Sequence, residues 1–232
     1  MPALADPKSL TEIPLFQNLT CSQLEFVNGL VRRRQFPSGS SVISAETPGE
    51  VVYIILSGTV KIKADQPDGR EVIIAILGPG EIVGELSMID NADRSADVIT
   101  QEDCVVLWMD RRAFEALLES IPQLTANLLR ILSRRVRMAT EQVRALCTLD
   151  VYGKVARQLL VFADQYGIST PSGVQIPLRL TQTDLAGMVG ASRERVNQAV
   201  VNLRERNLIS VDTSYRTTVR EVDRLRALVD ER

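Results

Sequence analysis

The stretch Leu180 to Ser210, LTQTDLAGMVGASRERVNQAVVNLRERNLIS, constrains this chain more than any other. It reads as two short helices joined by a tight glycine turn and ended by a hydrophobic stop. Thr181 suits the cap of the first helix, whose apolar Leu185, Ala186 and Val189 share one face. Gly190 then supplies the left-handed backbone that a sharp turn between helices demands. Ser192 caps a second helix that buries Val196, Ala199, Val200 and Leu203. Its other side gathers Arg193, Glu194, Arg195, Asn197 and Gln198 in the first two turns, as in a helix that reads base edges in the major groove. An amphipathic hairpin with a solvated charged face shows the same apolar spacing, so spacing alone leaves both readings open.

The overall balance of 27 Lys+Arg against 29 Asp+Glu is not that of a free-standing nucleic-acid binder. The charge divides unevenly, however. Residues 149–232 hold 12 basic against 10 acidic side chains, net +2, and residues 1–148 hold 15 against 19, net −4. Phosphate attraction must therefore come from local placement. With 232 residues and 45% hydrophobic content, the chain can bury the cores of two modest domains. The N-terminal MPALADPKSL lacks a basic-then-apolar signal, and no apolar run approaches the ~18 residues of a bilayer span, so a cytoplasmic chain with no membrane partner is expected. Zero histidines remove the commonest general base and metal ligand. Cys21, Cys104 and Cys147 lie far apart and read as small buried hydrophobes rather than a metal site or disulfide framework. No catalytic set and no metal site are expected.

The first half reads as short strands closing into a jelly-roll-like barrel around a small cavity. Val51–Ser57 and Thr59–Lys63 flank Gly58, Arg70–Leu77 follows a Pro67-Asp68-Gly69 turn, and Cys104–Met109 is another apolar strand. Between them lies Gly84-Glu85-Leu86-Ser87-Met88, followed by Arg94-Ser95-Ala96. Ile82-Val83 ends a strand, and a short helix is expected to begin at Gly84 with free N–H groups for an anion. Arg94, nine positions after Glu85, supplies a fork of donors suited to a phosphate, and Ser95 adds a hydroxyl. Glu85 has the wrong sign for phosphate and is suited to a sugar hydroxyl. One arginine, one helix terminus and one carboxylate fit a cyclic nucleotide with its single negative charge and free 2′-OH.

From Pro122 to about Cys147 no Gly or Pro interrupts a helical pattern. Leu129, Leu132, Val136, Ala139, Val143 and Leu146 follow spacings of 3, 4, 3, 4 and 3, the seam of a helix that pairs with another helix. The neighbouring face of Leu128, Ile131 and Met138 suits packing on the helix's own domain.

The pattern L-T-x-x-D-L-A-x-x-V-G-x-S-R-E-x-V at Leu180–Val196, with L-x-x-x-N-L-I-S ending at Ser210, resembles the DNA-binding domain of the Crp–Fnr family. The G-E-L…R-S-A set resembles the phosphate-binding cassette of the same family, in the family's order, and the likeness runs from about Ile13 to Val222. It implies an α+β chain: a β-roll cyclic-nucleotide-binding domain over 1–121, a dimerisation helix over 122–148, and a winged helix-turn-helix over 149–232 whose wing lies within Val211–Val222. By that resemblance Arg94 and Ser95 hold the cyclic phosphate, Glu85 holds the ribose, and Gly84 and Leu86 lend backbone N–H groups. Arg135 matches an arginine that communicates with the ribose-binding carboxylate. Ala139-Thr140 matches a pair of hydroxyl residues that contact adenine, and only Thr140 keeps the hydroxyl.

The same likeness makes Arg193 and Glu194 readers of guanine and cytosine, in a half-site resembling TGTGA. Gln198 replaces a later arginine of the family pattern and alters preference where it reaches, while Gln182, Thr183 and Ser192 position phosphates. The implied partners are double-stranded DNA bearing a palindromic operator, a second copy of the chain, and RNA polymerase. Cyclic AMP is the implied effector, with no cofactor. The alternative within the family is a regulator without cyclic AMP, an orphan or one answering to cyclic di-GMP.

Overall fold

A computed structural model describes residues 4–65 and 71–230. After two 3-10 turns, Pro7–Glu12 and Pro14–Phe16, comes helix α1 (Cys21–Leu30). Its Thr20 cap accepts from Gln23 N while the Gln23 side chain returns to Thr20 N, a reciprocal cap. Strands β1 (Arg32–Phe36), β2 (Ser41–Ile43), β3 (Val51–Ser57), β4 (Val60–Asp65), β5 (Glu71–Leu77) and β6 (Ile82–Val83) follow. Helix α2 (Leu86–Asp90) precedes strands β7 (Asp97–Thr100) and β8 (Cys104–Asp110), and then helices α3 (Arg111–Ser120) and α4 (Pro122–Thr148).

Two four-stranded sheets form, ordered β1-β8-β3-β6 and β2-β7-β4-β5. The ladders are antiparallel, with Tyr53 opposite Trp108 on one side and Val83 on the other. This is the expected roll; the apolar runs of β3 and β8 are mostly buried, whereas Val72 and Ile74 of β5 are exposed. The core joins Val52, Ile54, Leu107 and Met109 of the first sheet to Phe114 and Leu117 of α3 and to Leu124 and Leu128 of α4. The anticipated Pro67-Asp68-Gly69 turn lies outside the described residues.

Helix α4 runs unbroken for 27 residues. Its seam is not uniform. Leu129, Val136 and Val143 are 60%, 66% and 61% exposed, whereas Leu132 leans onto the core of the roll with Ile131. The chain divides into two compact units inside this helix, between Met138 and Ala139, and residues 65–75 belong with the C-terminal unit. The helix has the bounds 122–148 expected for the connecting helix.

The C-terminal unit contains α5 (Val151–Tyr166), β9 (Ile168–Thr170), β10 (Gly173–Ile176), α6 (Gln182–Val189), α7 (Arg193–Glu205), β11 (Ile209–Val211), β12 (Thr217–Val219) and α8 (Val222–Asp230). Its sheet is ordered β11-β12-β10-β9. The wing hairpin therefore spans Ile209–Val219, two residues earlier than expected at its start, and Val222 opens a helix. Of the cysteines only Cys104 is buried; Cys21, on the first turn of α1, and Cys147, on the outward side of α4, are exposed, which corrects their reading as core residues. Burial, and next the charge of Glu102, push the Cys104 thiol up to about 11, so it stays neutral and packs as a small apolar group.

Candidate ligand cassette and DNA interface

Strand β6 hands the chain to Gly84, whose φ of +84° lies in the left-handed region. A Cβ there would meet Arg94 Nη1 at 2.6 Å, Ile43 Cδ1 at 2.9 Å and Val51 O at 3.0 Å, so only glycine fits. The helix expected to begin at Gly84 begins two residues later, at Leu86, because positive φ at Gly84 breaks the helical path and Glu85 becomes the cap. Met88 N–H and Ile89 N–H both donate to Glu85 O. Asn91, at φ +58°, ends the helix.

Arg94 is only 7% exposed. Its Nη1 donates to Gly84 O at 2.6 Å and lies 3.5 Å from Ser87 Oγ, and its Nη2 donates to Val51 O at 2.5 Å. Burial is the main influence on its pKa and lowers it, opposed by Tyr53 and by the Glu85 carboxylate. A guanidinium does not lose its proton in a protein, so Arg94 is a fixed, largely desolvated positive charge. Glu85, 2% exposed, is the complementary anion. It does not pair with Arg94 directly. Arg135 of α4 reaches it instead, with Nη1 at 2.7 Å from Glu85 Oε1, while Nη2 meets Glu81 Oε2 at 3.0 Å and Ile82 O at 2.6 Å. The sequence reading linked Arg135 to Glu85, and the structure makes that link a direct ion pair. Ser95 is exposed beside Arg94, Leu86 is exposed at the start of α2, and Thr140 is exposed on α4 in the other compact unit. Ser87, which sequence reasoning passed over, is buried next to the Arg94 guanidinium.

The glycine constraint gives a sharp expectation. Gly84→Ala imposes left-handed strain of about 1–2 kcal/mol and drives a methyl into the Arg94 guanidinium. Chemical denaturation should report that loss of stability, and any anion held by Arg94 should bind more weakly. An alanine variant as stable as the parent would show that this corner is looser than its geometry.

In the C-terminal unit, Thr181 and Asp184 cap each other: Asp184 N donates to Thr181 Oγ1 at 3.1 Å and Thr181 N to Asp184 Oδ2 at 3.0 Å. Gly190 ends α6 at φ +63°. Ser192 caps α7, its Oγ accepting from Arg195 N at 3.3 Å. Val196, Ala199, Val200 and Leu203 are buried, while Arg193, Glu194, Asn197 and Gln198 face solvent together. Gln182 Nε2 donates to Asn197 Oδ1 at 2.7 Å, so the outward faces of the two helices are tied together. Thr183 is exposed on the first turn of α6. A pair the sequence did not reveal joins the wing to the segment before α6: Arg179 lies 5.1 Å from the centre of the ring of Tyr215, whose backbone is left-handed at φ +61°.

A roll carrying a buried arginine–glutamate cassette, followed in one chain by a winged helix-turn-helix, defines a ligand-responsive transcription regulator. Residues 33–121 match the family model of the cyclic nucleotide-binding domain, and residues 153–228 match that of the Crp-like helix-turn-helix domain. The chain is 35% identical over 203 residues to the CRP-like cAMP-activated global transcriptional regulator of Mycobacterium tuberculosis, covering 88% of this chain and 91% of that protein. It is 30% identical over 196 residues to the cyclic AMP receptor protein of Thermus thermophilus, covering 84% of this chain and 88% of that one. Among solved structures, the c-di-GMP-responsive global regulator CLP of Xanthomonas campestris is similar with a TM-score of 0.70 and 25% identity, over 86% of this chain and 99% of that one. The chain belongs to the Crp–Fnr family of transcription regulators, whose members are not enzymes. Among the described residues, no helix is long and apolar enough to cross a membrane.

Proposed function

We propose that the cassette binds a cyclic nucleotide, cyclic AMP in the first instance, and that binding governs recognition of a palindromic operator by a homodimer. The observation that carries this reading is the Gly84–Arg94 corner, a buried fixed cation against a glycine, with buried Glu85 next to it on the chain and already paired to α4. Arg94 and Ser95 take the cyclic phosphate, with Gly84 and Leu86 N–H groups beside them. Glu85 takes the ribose and exchanges part of its contact with Arg135. Thr140 of the second copy meets the purine. The exposed Leu129, Val136, Val143 and Leu146 on α4 support pairing with a second copy, which sets two α7 helices about one DNA turn apart. Arg193, Glu194 and Gln198 read bases, and Gln182, Thr183 and Ser192 fix the phosphates. We assign 1–121 to ligand binding, 122–148 to dimerisation and 149–232 to DNA, acting with RNA polymerase in the cytoplasm. A relative named as cAMP-activated and one named as a cyclic AMP receptor support the choice of effector.

A second reading, cyclic di-GMP, has two observations in its favour. A similar solved structure is of a c-di-GMP-responsive regulator, and Ala139 offers no hydroxyl beside Thr140. Calorimetry of the full chain with cyclic AMP, cyclic GMP and cyclic di-GMP separates them. Under the cyclic AMP reading, Ala139→Thr tightens cyclic AMP more than cyclic GMP, by about 0.5–1.5 kcal/mol for one neutral hydrogen bond. Equal changes for both nucleotides would show that position 139 does not see the base.

A further inference from the structure

Two arginines bridge the same two stretches of chain. Arg94 spans Val51 and Gly84 through their carbonyls. Arg111, the first residue of α3, spans the neighbouring positions. Its Nη2 donates to Gly49 O at 2.6 Å and to Ser87 O at 3.0 Å. Its Nη1 donates to Met88 O at 3.2 Å and to Asn91 Oδ1 at 2.7 Å. Helix α2 has five residues, so its last carbonyls lack helical partners, and the Arg111 guanidinium satisfies two of them.

The other end of the bridge is equally close. A Cβ on Gly49 would lie 2.4 Å from Ser87 Cβ, so the turn at residues 46–50 and helix α2 meet at backbone distance. That turn also holds the backbone of Arg94: Arg94 N–H donates to Thr47 O at 2.9 Å, and Glu46 N–H donates to Arg94 O at 3.0 Å. If the Arg94 side chain gives up Val51 and Gly84 for a phosphate, its own tie between the two stretches is lost. The tie made by Arg111 does not depend on that side chain, since its guanidinium is held by Gly49, Ser87, Met88 and Asn91.

We propose that Arg111 is the positioning residue of the cassette, holding α2 against the 46–50 turn so that Arg94 and the Gly84–Leu86 amides keep one geometry toward the anion. The inference rests on the cyclic-nucleotide reading above. A planar fork is required, since a lysine ammonium offers three donors from one nitrogen and cannot span Gly49, Ser87 and Asn91 together.

The test is cyclic AMP calorimetry on the full chain, its Arg111→Met and Arg111→Lys variants, and both again in an Arg94→Lys background. Arg111→Met should weaken cyclic AMP at least about tenfold in the parent but less than about threefold beside Arg94→Lys, because coupled residues do not add. Arg111→Lys should not restore the loss. Equal losses in both backgrounds would mean general loosening of the roll and would overturn the role, as would parental affinity in Arg111→Met. Amide exchange of the unliganded chain supplies an arm independent of the nucleotide. Arg111→Met should speed exchange at Met88 and Ile89 while β3 and β8 keep theirs, and unchanged exchange at α2 would also overturn it. A parent chain that binds no cyclic AMP would sink the ligand reading, and the exchange pattern alone would then decide the role of Arg111.

Discussion

Arg94→Leu should abolish cyclic-nucleotide binding in a chain that remains folded. Leucine keeps an apolar stem where the arginine stem is buried, but it removes a desolvated positive charge, and neighbouring Arg111 is committed to Gly49, Ser87, Met88 and Asn91. Arg135 cannot substitute, because it is engaged by Glu85 and Glu81. A charged hydrogen bond contributes about 1.5–3 kcal/mol, so affinity should fall by at least about tenfold for one such bond and further if two are lost. The variant also leaves Val51 O and Gly84 O without their donor, which costs some stability, so circular dichroism should accompany calorimetry. Arg94→Lys should fall between, retaining the charge and losing the fork. Normal cyclic AMP binding by Arg94→Leu would remove the cassette assignment altogether.

Arg193→Ala should eliminate preference for the operator over random DNA. Arg193 is the first residue of α7, exposed immediately after the Ser192 cap, where a side chain can reach guanine O6 and N7. One bidentate contact contributes about 1–3 kcal/mol of discrimination per half-site, and a palindrome contains two. The loss should therefore be about twofold larger in free energy on a full operator than on a half-site. Weak, salt-sensitive binding to any duplex should survive, since phosphate contacts carry that part. Gln198→Arg should behave differently, adding a guanine reader and shifting the selected consensus rather than erasing it. Selection from randomised operators checks both variants, and an unchanged consensus in both would mean that α7 does not lie in the major groove.

The helix-turn-helix was legible in the sequence because each boundary is written locally. Thr181 with Asp184, Gly190 and Ser192 are caps and a turn that act within four residues of themselves. The roll was only partly legible. Strands β3 and β8 are apolar runs, but β1 is RRRQF, exposed at four of its five positions, and becomes a strand through its pairing with Trp108 to Cys104 far along the chain. Strands β2, β9 and β10 are three or four residues long, too short for alternation to register. The Thr20/Gln23 cap of α1 was readable as T-x-x-Q and was missed. At the cassette, residue types and order pointed to Arg94 and Glu85, and the Arg135 link came from family likeness. The partners of Arg94 and Arg111 did not emerge, since Val51 and Gly49 lie 43 and 62 positions away from them. Side chains that brace a site across the fold leave no periodic trace.

The most direct test of the account is operator binding by the full chain with and without saturating cyclic AMP, by fluorescence anisotropy on a selected palindrome. The ligand should change operator affinity by about 5–150-fold, and by linkage the operator should change cyclic AMP affinity by the same factor. Arg94→Leu should bind the operator with an affinity that cyclic AMP does not move. Identical operator affinity of the parent chain with cyclic AMP, cyclic GMP, cyclic di-GMP and no nucleotide would contradict the claim that the cassette governs DNA recognition.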